Sequence, residues 1–91
     1  MKNIAQDKKI NLRKLAHHLK PIILIGQKGL TEAVQLEIER ALFDHELIKI
    51  HIAGADKKER QLIIDQICNE REAILIQTIG NVAVIYRERD E

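Results

Sequence analysis

The sequence predicts a two-layer α/β domain with element order α-β-α-β-α-β-β, a four-stranded mixed sheet and helices on one face. Three observations predict it. Apolar residues recur at helical spacing in three separate stretches. Short β-branched runs lie between and after those stretches, and Gly80-Asn81 parts the last two runs as a Gly-first hairpin turn does. Strands separated by helices need crossovers and lie parallel, whereas a two-residue turn makes its strands antiparallel. A chain of 91 residues has material for one core, so residues 1–91 are read as a single domain.

Each element has its own signature. Leu12, Leu15, Ala16 and Leu19 repeat at i, i+3, i+4, i+7, which predicts an amphipathic helix over residues 7–19 that Pro21 stops. Residues 22–25 are an all-apolar run, which suits a strand buried on both sides. Val34, Ile38, Ala41 and Leu42 mark a second helix over residues 32–45. In residues 47–53, Ile48, Ile50 and Ile52 alternate with Lys49 and His51, so that strand has one drier face. Asp56 is placed to cap a third helix whose buried side is Ile63, Ile64, Ile67 and Cys68. Residues 73–79 and 82–86 are the closing strands.

Composition bounds the function. No apolar run approaches the length of a membrane span, and residues 1–7 lack the apolar stretch of a signal peptide. Cys68 is alone and has no internal disulfide partner, which fits a reducing compartment; a cytoplasmic monomer is expected. The net charge of +1 hides an asymmetry. Residues 1–30 hold seven basic groups against one acidic, a net +6, and residues 31–91 hold eight against thirteen, a net −5.

The basic stretch leads into Gly26-Gln27-Lys28-Gly29, a Gly-x-x-Gly loop with an internal lysine, between the first strand and the second helix. Two glycines allow a tight turn and leave the backbone open to close approach. Thr31 is a good N-cap, so a phosphate at the loop would meet free N–H groups, the positive end of the helix dipole and Lys28 together. Paired glycines also serve many strand-to-helix turns for geometry alone. The basic first helix and the lysine inside the loop favour the phosphate reading.

Catalytic and metal chemistry find little footing. The chain has no serine, and Cys68 falls on an apolar helix stripe. The glycine loop is too short for a nucleotide-binding Walker loop, and its lysine precedes the second glycine. His45 and His51 are six residues apart rather than one helical turn, and His17 and His18 are adjacent, so neither pair matches a zinc motif. No enzyme, metal or cofactor is expected. Phe43 and Tyr86 are the only aromatic residues and are read as core, which leaves little for base stacking on aromatic rings. Recognition of RNA would then run through phosphates, sugars and shape. The alternative is a protein-interaction module on the open sheet face, made apolar by Leu75 or by the residues flanking Lys49.

The segments 15–21 (Leu-Ala-His-His-Leu-Lys-Pro), 25–31 (Ile-Gly-Gln-Lys-Gly-Leu-Thr), Glu37-Ile38, 45–49 (His-Glu-Leu-Ile-Lys), 77–80 (Gln-Thr-Ile-Gly) and Tyr86-Arg87 together resemble the CRM domain family (chloroplast RNA splicing and ribosome maturation). The likeness is strongest to its stand-alone bacterial YhbY-like members and covers residues 12–87. It implies a fold similar to the C-terminal domain of translation initiation factor three, with sheet order 1-2-4-3. It also implies RNA binding through Gly26, Gln27, Lys28 and Gly29, beside a basic surface of Arg13, Lys14, His17 and Lys20. In bacteria the implied partner is ribosomal RNA or precursor particles of the large subunit; plant relatives use the domain in intron splicing. Family members often carry basic residues at the last hairpin and tail. Here Asn81 and the ending Glu88-Arg89-Asp90-Glu91 depart from that pattern.

Overall fold

A computed structural model describes residues 4–89, so Lys2 of the basic stretch and Asp90 and Glu91 of the tail lie outside the described residues. Seven elements follow the expected order: α1 (Gln6–Ala16), β1 (Ile23–Ile25), α2 (Glu32–His45), β2 (Leu47–Ile52), α3 (Lys57–Arg71), β3 (Ile74–Ile79) and β4 (Val82–Tyr86). The sheet order is β1-β2-β4-β3. β1 and β2 are parallel, with Ile23 beside Ile50 and Ile25 beside Ile52, because α2 carries the chain back between them. β4 runs antiparallel to both β2 and β3. Gly80 has φ +56, which the first central position of a Gly-first hairpin turn requires.

The helix caps match their sequence signals. The Thr31 hydroxyl accepts from Val34 N–H at 3.2 Å, and the Asp56 carboxylate accepts from Glu59 N–H at 2.8 Å. Ile38, Ala41 and Leu42 of α2 and Ile64 and Ile67 of α3 pack onto Ile48, Ile50 and Ile52 of β2 and Ala83 and Ile85 of β4. This is the main core.

α1 corrects the expectation of helices on one face. Leu12 and Ala16 pack with Ile76, Val84 and Tyr86, side chains of the opposite sheet face. Alternation along β4 explains this: Ala83 and Ile85 point to α2 and α3, while Val84 and Tyr86 point to α1. The expected stripe of α1 divides accordingly. Leu12 and Ala16 are buried, but Leu15 is 58% exposed. One turn before Leu12 the same row carries the exposed Lys8, whose ammonium sits 5.1 Å from the centre of the Tyr86 ring. α1 ends at Ala16, earlier than expected, in a turn closed by His18 N–H to Leu15 O (3.2 Å) and Leu19 N–H to Ala16 O (3.0 Å).

Two further corrections concern exposure. β1 is an edge strand with one buried face, and Leu24 is 62% exposed, because β1 lies beyond the reach of α1. Tyr86 is buried as expected, but Phe43 is 58% exposed on α2. Its ring lies 5.7 Å from the Arg89 guanidinium, which also donates to Phe43 O and Asp44 O at the end of the helix.

Candidate nucleic-acid interface

The glycine loop starts where β1 stops. Ile25 O accepts from Ala53 N–H at 2.9 Å, which holds the ends of the two parallel strands side by side. Gly26 O then accepts from Gly29 N–H at 3.0 Å, closing residues 26–29 into a tight turn. Gly29 has φ +73, in the left-handed region where a side chain is strained. Its carbonyl accepts from Thr31 N–H at 3.1 Å, and α2 begins immediately after.

The free N–H groups expected at this loop are fewer than the sequence suggests. Those of Gly29, Thr31 and Val34 are spent on the turn and the cap. Among the described residues, the backbone N–H groups of Gln27, Lys28, Glu32 and Ala33 make no hydrogen bond. The Lys28 side chain is exposed and has no ion-pair partner among those residues. Gln27 leans toward the turn after β2: a Cβ at Gly54 would lie 3.8 Å from Gln27 Cγ.

Gly26 stands apart. Its φ lies outside the left-handed region, and a Cβ added there would meet nothing within 4 Å. The fold makes no demand that this residue be glycine. The open space above it, next to two unbonded amides and a lysine, suits the approach of an anionic group to bare backbone.

The basic residues of the first thirty have different roles. Arg13 is half-buried and donates from Nε to Ile76 O at 3.3 Å, at the register shift of β3, so it tethers α1 to the sheet. Lys14, His17 and Lys20 are exposed. They lie at or just beyond the C-terminal end of α1, the negative end of its dipole, so an anion there is held by side chains rather than by helix N–H groups. That end of α1 precedes β1, and the glycine loop follows it. At about 3.3 Å per residue, Ile22 to Gly26 spans roughly 13 Å. The structure therefore sets the loop and the basic end of α1 at opposite ends of one edge strand, not in a single cluster.

Between them lie residues that the sequence reading left out of the site. Leu24 is paired with His51 in register and shares its face, as does Lys49 two residues before it. Lys49 Nζ donates to Leu19 O at 3.1 Å, which places its charge beside the exit from α1. Alternation in β2 had already put Lys49 and His51 on one face; the missing information was that the other helices do not cover that face.

The protein-docking alternative loses the side chains it was built on. Leu75 packs into the main core, and Ile48 and Ile50, which flank Lys49, point the same way. Among the described residues, no three His, Cys, Asp or Glu side chains gather into a group that could hold a metal ion. Burial pushes the Cys68 thiol up to about 11, with nearby Asp65 adding to the shift, so at neutral pH it is a protonated, poor nucleophile.

Fold and loop together define a class: a small α/β domain with a glycine turn at the carboxyl ends of two parallel strands and a cationic helix end at the far end of the edge strand. The chain belongs to the CRS1 / YhbY (CRM) domain family, whose model matches residues 4–87. It is 48% identical over 91 residues to a Haemophilus influenzae protein named as an RNA-binding protein, an alignment covering all of this chain and 92% of that one. A Pseudomonas aeruginosa protein whose name also refers to RNA binding is 41% identical over 85 residues, 93% of this chain and 82% of that protein. The solution structure of a Staphylococcus aureus protein superposes with a TM-score of 0.84 at 32% identity, covering 98% of this chain and 93% of that one.

Proposed function

We propose that this protein binds RNA without catalysing a reaction, gripping the phosphate backbone at Gly26, Gln27, Lys28 and Gly29 and along the basic end of α1. The single observation that carries this is Gly26, a glycine the fold does not need, beside unbonded amides. Family membership and the names of the relatives support the same class of ligand. The contributing side chains are Lys28 at the loop and Lys14, His17 and Lys20 at the helix end, with Arg13 holding the helix in place. Few aromatic rings are available, so affinity rests on charge and backbone contacts.

The finer proposal is that the RNA is ribosomal RNA of large-subunit precursors, bound by a monomer in the cytoplasm to assist assembly. Crosslinking in living cells, followed by sequencing of the attached RNA, tests it. Enrichment of large-subunit ribosomal RNA is the expected result. Recovery of proteins with no RNA above background would refute RNA binding, and enrichment of other RNAs alone would refute the ribosomal assignment.

A further inference from the structure

A second feature lies at the opposite end of β1 from the glycine loop. Leu15 and Leu19 from the exit of α1 and Ile22 from the approach to β1 line one groove of about 610 Å³. All three are exposed, at 58%, 38% and 52%. The volume lies within the usual range for small-ligand sites. His18, Lys20 and Lys49 rim this apolar floor, His45 from the end of α2 adds another imidazole, and no carboxylate is among the lining residues. This contrasts with residues 31–91 as a whole, which carry thirteen acidic groups against eight basic.

A purely apolar partner would not need a rim of cations, and a free phosphate would not need three exposed aliphatic side chains. One ligand matches both halves: a flat, weakly polar ring attached to an anion. We infer that this groove receives an unpaired nucleobase of the bound RNA, with its flanking phosphate on Lys20 and Lys49. The inference rests on the RNA-binding proposal and deepens it. It gives the protein a means of preferring single-stranded or bulged RNA over continuous duplex, because a paired base cannot leave its stack to enter. Methyl groups supply the contact surface here in place of aromatic rings. The groove and the loop flank the same strand, so one strand of RNA running along β1 reaches both.

The test uses the full chain with methyl-labelled isoleucine and leucine. Addition of a short oligoadenylate should move the methyl resonances of Leu15, Leu19 and Ile22 upfield, as a ring stacked over them requires. A blunt RNA duplex should leave them in place while still shifting the amides of Gln27 and Lys28. In parallel, Leu15→Gln with Ile22→Thr removes apolar floor without changing charge. It should weaken oligoadenylate binding about fivefold, with duplex binding and the salt dependence unchanged. Unmoved methyls with wild-type oligoadenylate affinity in the variant would overturn the groove while leaving RNA binding at the loop intact. Absence of binding to either RNA would overturn the RNA proposal and the groove with it. Methyl shifts that grow with protein concentration in the absence of RNA would assign the groove to a second copy of this chain and so overturn the inference.

Discussion

Replacing the two loop glycines singly by alanine separates binding from folding. At Gly26 φ lies outside the left-handed region, and a Cβ meets nothing within 4 Å. Gly26→Ala should therefore leave the native state unstrained and reduce unfolded-chain entropy, a stabilisation of about 0.4–1 kcal/mol. For a domain of this size that raises the melting temperature by roughly 2–8 °C. Gly29 has equal space around it but φ +73. There Gly29→Ala forces a side chain into the left-handed region at about 1–2 kcal/mol, and the melting temperature should fall by roughly 4–16 °C. RNA binding should show a different order. A methyl at Gly26 stands where a phosphate approaches the Gln27 and Lys28 amides, and losing one charge-assisted hydrogen bond costs about 1.5–3 kcal/mol, at least tenfold in affinity. The assay is a fluorescence-anisotropy titration of a labelled single-stranded RNA beside a circular-dichroism melt. A Gly26→Ala protein that is as stable as wild type and binds RNA equally well would refute the reasoning that this backbone is kept bare for a ligand.

Lys28→Ala should leave the melting temperature unchanged, weaken binding to every RNA sequence alike and flatten the log–log salt dependence by about 0.7, one single-strand phosphate contact; titrations at several salt concentrations check it. Arg87 donates to both carboxylate oxygens of Glu39, at 2.7 and 2.8 Å, and holds that carboxyl below its ordinary range, with burial opposing the shift. Stability from this pair is thus present above the ordinary carboxylate pKa, about 4.3, and is lost as pH falls through and below it. The melting-temperature advantage of wild type over Glu39→Gln should be present near neutrality, correspond to about 1 kcal/mol for so exposed a carboxylate, and vanish in acid. Cys68, with its thiol raised to about 11, should resist iodoacetamide at mildly alkaline pH in the folded protein and react once denaturant is added; mass spectrometry follows the adduct.

Much of this protein is determined locally and is legible in its sequence. β2 alternates Ile48, Ile50 and Ile52 with Lys49 and His51, and that period survives in any packing that buries one face. Ile38, Ala41 and Leu42 dictate the buried side of α2, and Asp56 and Thr31 start their helices through their own side-chain oxygens. Gly80 sets the hairpin, and the glycine loop is placed by the end of one run and the start of the next.

The placement of α1 was decided by tertiary structure. Its apolar residues form two adjoining rows, Leu12 with Ala16 and Leu15 with Leu19, and periodicity alone does not say which row is buried. The choice falls to long-range partners: Val84 and Tyr86 on a strand more than sixty residues away, and the Ile76 carbonyl that anchors Arg13. One signal was present in the uninterrupted apolar run of β4, from Val82 to Tyr86, since a strand that is apolar on both faces needs cover on both. The shorter run at residues 22–25 has the same local character but lies at the sheet edge, so Ile22 and Leu24 stay exposed. Strand order is a property of the assembled sheet, and it alone makes one apolar run core and the other part of the surface proposed to meet RNA.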